Sequence, residues 1–458
     1  MKYFFSILFI LSCGFVYSQT SKNESLAQEY YRQGEFSKAL QLFEEIYKKK
    51  KVKNIYVKYL DCLIKTQSYN KAEKIIKGFY KKNNDPIILI DLGELYILKG
   101  SDNIGKEKFQ LAIKEAKKNP RFLPNIAAKF YRLKNYEFAL DAYTLANKEN
   151  SKATYSIQIA NIYSHLGRID KMYQELVELL YKNPNYFQTC KNKLRLTISD
   201  DGENQNNKTL KKILIKSVQK NNSYEISKML TWLFMQEKKF QDALEYEISI
   251  DKRLDDNKLD ITALGDVAIH NRDYKTAQNA FEYILSQAHE NSYYYEYSSI
   301  RLLDIKLEFL LTEKIKKTDD IQKLGNEYKS TLENLGIKSE TIFTLKNYCE
   351  ILAFYLKREE DAIQLLEQTI QNKELNSYDI AICKMELAKI FLLHGNIWEA
   401  TLLYAQVEKQ FNEDVIGQQA KFEKTKINYY TGDFEWAQNQ LKVLKLSTSK
   451  LIANNAMK

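Results

Sequence analysis

Along this chain a small residue, followed four positions later by a large apolar one, returns at a nearly constant interval. The first five pairs are Ala39–Phe43, Ala72–Ile76, Gly105–Phe109, Ala139–Tyr143 and, with Met in the small position, Met172–Leu176, so successive anchors lie 33 or 34 residues apart. Upstream of each anchor a second apolar set recurs: Ala27 and Tyr30, Leu60 and Leu63, Gly93 and Tyr96, Ala127 and Phe130, Ala160 and Tyr163. Helical spacing on both sides of a break means two short amphipathic helices per period, each leaving an apolar face that only a neighbouring copy can cover. Gly34, Gly100 and Gly167 fall at the break, where a residue free to take positive φ ends a helix. Composition agrees. Only 4 Pro and 14 Gly occur in 458 residues, too few for turn-rich all-β folds or Gly-looped nucleotide sites. With 44% hydrophobic and 13% aromatic residues, low-complexity disorder is disfavoured as well.

The period and the order of residue types resemble the tetratricopeptide repeat, and within it the exported bacterial (Bacteroidota-like) members. The resemblance implies an all-α fold, a right-handed α-α superhelical solenoid of tetratricopeptide-type helical hairpins, with the first (A) helix of each hairpin lining a concave groove. Ala or Gly at the anchor lets the second (B) helix approach the A helix closely. The aromatic three positions earlier in most windows plugs the turn. Weaker copies follow at Ala243, at Gly265 with Ala277, at Ala353 with Ala362, at Ala388 with Ala400, and at Gly432 with Ala437, giving ten units. Spacing between anchors 362, 400 and 437 widens to 37 or 38, meaning longer helices or turns. The expected layout is a signal peptide over 1–18, an array of about five units over 19–185, and irregular helices with a polar loop over 186–222. Repeats then follow over 223–291, an atypical long hairpin over 292–340, degenerate repeats over 341–447, and a tail over 448–458 that reads as the start of another helix. The helix-like stretch Phe187–Ile198 and the polar run Ser199–Lys208 make the second of these the candidate boundary.

The leader has a charged Lys2, an apolar Tyr3–Leu11 and a Val16-Tyr17-Ser18 cleavage pattern before Gln19, so the chain is expected to be exported to the periplasm or outer membrane. A competing reading is lipoprotein processing at Cys13, which Ile10-Leu11-Ser12-Cys13 matches in part. Cys62, Cys190, Cys349 and Cys383 are scattered and read as small buried hydrophobes on helices, with Cys349 and Cys383 the pair to test for a bridge.

Catalytic motifs are absent. His165, His270, His289 and His394 show no zinc spacing, and no phosphate-loop or nucleophile-elbow pattern occurs, so the reading is non-catalytic with no cofactor. The resemblance directs attention to the groove, and carrying over the usual positions gives Tyr31, Arg32, Lys58, Asp61, Lys65, Asp91, Glu94, Asn125, Tyr131, Arg132, Asn161 and His165. These lie outside the packing positions and are expected to be free for a ligand. The Lys and Asn that grip a C-terminal carboxylate in some family members are replaced by Glu24 and Gln28, so that activity does not carry over. Tyr30, Tyr69, Tyr96, Tyr136, Tyr163 and Tyr274 fall at repeat positions and read as core.

The formal charge of +10 is concentrated: Ile46–Asn84 holds 12 Lys against 2 acidic residues, and the rest of the chain cancels. The basic patch comprises Lys48, Lys49, Lys50, Lys51, Lys53, Lys74, Lys77, Lys81 and Lys82. It reads either as a solvated face or as a dock for anionic lipid, glycan or acidic protein. Nucleic acid is disfavoured by export. The expected function is a scaffold that binds proteins or peptides, acidic ones included, through the groove, with peripheral membrane or lipid-anchored association open. Alternatives are a glycan- or envelope-polymer-binding module and the sensor part of a membrane regulator.

Overall fold

The computed structural model describes residues 23–149, 154–221, 223–254, 257–312, 318–445 and 450–456. The leader, with its cleavage site and Cys13, lies outside them. Among the described residues there is no strand, and no helix is long and apolar enough to cross a membrane. The chain forms two compact units, Met1–Leu230 and Thr231–Lys458.

Unit 1 is a succession of antiparallel hairpins. They pair α1 (residues 23–32) with α2 (Phe36–Lys49), α3 (Lys53–Lys65) with α4 (Tyr69–Asn83), and α5 (Ile88–Leu98) with α6 (Asp102–Lys118). Two more pair α7 (Leu123–Arg132) with α8 (Tyr136–Glu149), and α9 (Ser156–His165) with α10 (Ile169–Lys182). Then come α11 (Phe187–Arg195), α12 (Gln205–Asn221) and α13 (Tyr224–Gln236), within which the two units divide.

Every hairpin of the array turns the same way. The second residue after the A helix is left-handed, at Gly34 (φ 77°), Gly100 (φ 79°) and Gly167 (φ 70°), and equally at Gln67 (φ 56°) and Lys134 (φ 59°). One residue on, a backbone N–H reaches five positions back: Glu35 to the Tyr30 carbonyl, Ser68 to Leu63, Ser101 to Tyr96, Asn135 to Phe130, Arg168 to Tyr163. This closure satisfies carbonyls that a helix end would leave orphaned and sets the angle at which the B helix folds back. The anchors Ala39, Ala72, Gly105 and Ala139 are fully enclosed between the two helices. Approach is tightest at α5–α6, where a Cβ on Gly105 would sit 2.7 Å from the Gly93 carbonyl oxygen.

The polar run over 199–208 is not a loop throughout. Asn207 is completely buried and its side chain staples Ser199, accepting from the backbone N–H at 3.1 Å and donating to the carbonyl at 2.9 Å. This brings the start of α12 forward to Gln205, and α11 ends at Arg195, before Ile198.

Unit 2 holds α14 (Phe240–Leu254), α15 (Lys258–His270), α16 (Tyr274–Gln287), α17 (Tyr293–Thr312), α18 (Thr318–Leu335) and α19 (Ile342–Glu350). From there a π-helical segment, Ile351–Tyr355, leads to α20 (Glu359–Ile370), α21 (Ser377–His394), α22 (Ile397–Gln410), α23 (Val415–Tyr430), α24 (Phe434–Leu444) and α25 (Lys450–Asn455). Its turns use the same left-handed residue at Lys238, Arg272, Lys357, Gly395 and Gly432. Over 292–340, where a long hairpin was expected, lie α17 and α18, packed on each other, and the 18-residue α21 with the 16-residue α23 accounts for the wider late spacing. The tail carries α25, whose Ile452 packs with Leu444 and Ala456.

All four described cysteines are free and buried, so Cys349 and Cys383 do not pair. The six repeat tyrosines are half-buried plugs at the turns; the most deeply enclosed among the described residues include Tyr56, Tyr59, Tyr173, Tyr328 and Tyr404.

Candidate functional site

The A helices of unit 1 share a face on which Tyr31 meets Asp61 and Tyr131 meets His165. Between α3, α5 and α7 that face opens into a cleft of about 420 Å³. α3 supplies one wall with Tyr56, Val57, Leu60, Asp61 and Ile64, a set spaced to share one side of a helix. The opposite wall is Ile88, Asp91 and Glu94 of α5, with Lys129 and Arg132 from α7. Phe79 of α4 lies beneath, its ring stacked on Tyr56 with centroids 4.0 Å apart.

Asp91 is the centre of the polar part. One carboxylate oxygen accepts from the Tyr56 hydroxyl at 3.0 Å, and the other from Lys129 Nζ at 2.5 Å. Lys129 also donates to the Ile87 carbonyl at 3.2 Å. Both charged side chains are largely enclosed, at 16% and 17% exposure, where an ion pair is screened little and leaving either member unpaired is costly. Glu94, one turn along α5, has its carboxyl pushed up to about 7 by burial, with Lys129 opposing the shift and Asp91 adding to it. The cleft thus presents a fixed carboxylate, a second one ready to change charge, and an apolar wall.

The other expected residues are joined from repeat to repeat. Tyr31 donates to Asp61 at 2.7 Å, which with burial pushes its phenol up to about 12. The Lys58 ammonium lies 6.0 Å from the Tyr31 ring centre. Tyr131 and His165 share a hydrogen bond of 2.9 Å, and the His165 ring stacks on Tyr136. Asn161 accepts from Lys193 of α11 at 2.7 Å. So Tyr31, Asp61, Asp91, Tyr131, Asn161 and His165 are held by neighbours, not waiting free as expected. Arg32, Lys65, Asn125 and Arg132 are exposed.

Sequence reasoning missed Tyr56, Lys129 and the apolar wall. A signal existed: the polar partners stand 30 to 38 residues apart, one repeat along the A face. Unit 2 repeats the device, Asp266 accepting from Tyr297 at 2.6 Å and from Arg301 at 2.8 Å. It also has a larger hollow of about 800 Å³ on α19, α21 and α23 that includes exposed Phe343, Tyr378, Leu393 and Val415, a region where no groove residue was expected. Among the described residues no cluster of His, Cys, Asp and Glu fits a metal ion.

No family model and no curated protein matches this chain. Solved structures similar to it include yeast Tom70, at 14% identity over 96% of this chain and 94% of that one, TM-score 0.36. The Cut9–Hcn1 hetero-tetramer of APC/C is similar at 11% identity over 96% and 95%, TM-score 0.34. A tetratricopeptide repeat protein from Parabacteroides merdae ATCC 43184 is similar at 16% identity over 74% and 98%, TM-score 0.25. At these scores the fold rests on the hairpins themselves.

Proposed function

We propose that this chain is a non-catalytic scaffold, exported to the periplasm or the outer membrane, that holds protein or peptide partners on the A-helix face of unit 1. The observation that carries the reading is the α3–α5–α7 cleft. Its Tyr56–Asp91–Lys129 network is already assembled, so a partner meets preset charges and little ordering cost is left to it. Val57, Leu60 and Ile64 suit an apolar anchor, and Arg132 with Lys53 at the rim suits an acidic residue beside it. The leader pattern of Lys2, Tyr3–Leu11 and Val16–Ser18 supports export.

The test is affinity capture from envelope extracts with the wild-type chain and with a variant carrying Arg32→Glu, Lys65→Glu and Arg132→Glu. Loss of the captured proteins from the variant is expected, and an unchanged set overturns the groove assignment.

A further inference from the structure

The connections α2–α3, α4–α5 and α6–α7 each run from a B helix to the next A helix, so antiparallel stacking sets them side by side at one edge of unit 1. Contacts confirm the alignment. Lys53 Nζ, at the start of α3, lies 3.5 Å from Asp85 in the next connection, and Tyr80, Ile87 and Phe122 share one apolar cluster spanning the second and third. Onto this edge fall Lys48, Lys49, Lys50, Lys51, Lys53, Lys81, Lys82, Lys117, Lys118 and Arg121, against Glu44, Glu45, Asp85 and Glu115. The patch lysines of the α2–α3 and α4–α5 connections are therefore one end of a longer row, while Lys74 and Lys77 lie within α4.

Helix dipoles explain only part of it. Lysines in the last turns of α2, α4 and α6 are favourable there. Lys51 lies in a connection, however, and Lys53 is the first residue of α3, where a positive charge opposes the dipole. Pairing does not explain the row either. Lys48, Lys53 and Lys118 have acidic partners, but Lys49, Lys51, Lys81, Lys82, Lys117 and Arg121 are exposed with no ion pair among the described residues.

We propose that this edge seats unit 1 on an anionic lipid surface. Ammonium groups on long stems are point charges suited to a field of headgroups, whereas a specific phosphate reader prefers guanidinium forks. Val52, 50% exposed between Lys51 and Lys53, adds an apolar tip to the row. The spread of the row favours lipid over an acidic protein: its unpaired cations run over three successive connections, Lys49 and Lys51, Lys81 and Lys82, then Lys117 and Arg121, matching a continuous field of headgroups. The proposal does not depend on the groove reading, since Lys53 is the one cation of the row that also borders the cleft.

The test uses the chain from Gln19, which keeps every described residue and omits the apolar leader. Co-sedimentation is measured with phosphatidylcholine vesicles, with and without one-third phosphatidylglycerol, at low and physiological salt. Binding is expected only to the anionic vesicles and is expected to weaken with salt. Each lysine near such a surface is worth roughly fivefold in binding. Replacing Lys49, Lys51, Lys81 and Lys82 by Gln is therefore expected to weaken binding at least tenfold. A control with Lys106, Lys108, Lys134 and Lys171 changed to Gln, near the opposite edge, should stay within about twofold. Circular dichroism melts confirm that both variants fold. The proposal is overturned if anionic vesicles fail to bind at low salt, if the control loses as much, or if soluble polyglutamate is held more tightly than the vesicles.

Discussion

Asp91 shows how far one side chain can be committed. With Tyr56 on one oxygen and Lys129 on the other, its removal strands an enclosed ammonium, and Asp91→Ala should cost about 3 kcal/mol in urea unfolding. Tyr56→Phe, which deletes one hydrogen bond and keeps the ring stack on Phe79, should cost only about 1 kcal/mol. Glu94 gives a pH signature of opposite kind to a salt-bridged acid. Its folded pKa of about 7 lies above the ordinary 4.5, so the folded chain binds the extra proton between those values. The stability it contributes is complete below pH 4.5, falls as pH rises through 7, and is absent above. Glu94→Gln removes that loss. The variant should melt higher than wild type at pH 8 and level with it at pH 4, and an equal difference at both values would refute the assignment.

At the level of the helical hairpin, one backbone conformation is imposed on unequal residues. The turn position is left-handed whether it holds Gly34 or Gln67, Gly100 or Lys134, because the closing hydrogen bond fixes it. Side chains resist that conformation by roughly 1–2 kcal/mol, and glycine returns part of this by gaining freedom when unfolded. Gln67→Gly and Lys134→Gly should each raise stability by about 0.5–1 kcal/mol, while Gly100→Ala lowers it similarly. Gly105→Ala acts differently: the new methyl would meet the Gly93 carbonyl, forcing α5 and α6 apart at a cost of about 3 kcal/mol. Thermal melts of these four variants separate turn strain from close approach. The contrast also explains what the sequence could show. Anchors such as Ala39 and Gly105 were legible because close approach admits few residue types. Gln67 and Lys134 were silent, since neither announces a positive φ. Tyr56 and Lys129 were missed for another reason: on one helix they look like solvated residues, and only the spacing to a partner one repeat away gives them a role.

Within each unit the described hairpins lean mainly on their sequence neighbours, so stability should follow local burial instead of being shared evenly. The +10 charge is distributed in the same local way, confined to Ile46–Asn84 in the first two repeats. In the middle of unit 1 the packing is dense, with Phe109 and Phe130 fully enclosed and in edge-to-face contact at 5.1 Å. At the far end of unit 2 it is thin. α24 buries only Ala437 and Leu444, leaving Phe434, Trp436 and Val443 at least 57% exposed. Little apolar area there opposes the conformational entropy of opening. Amide hydrogen exchange followed by mass spectrometry should therefore be graded along the molecule, with α24 and α25 exchanging at least about a hundredfold faster than α6 and α7. A uniform rate would mean that opening is cooperative over the chain, and nearest-neighbour packing would then fail as its account. A steep gradient would instead make the exposed aromatic residues of α24 the first surface released when the chain is stressed.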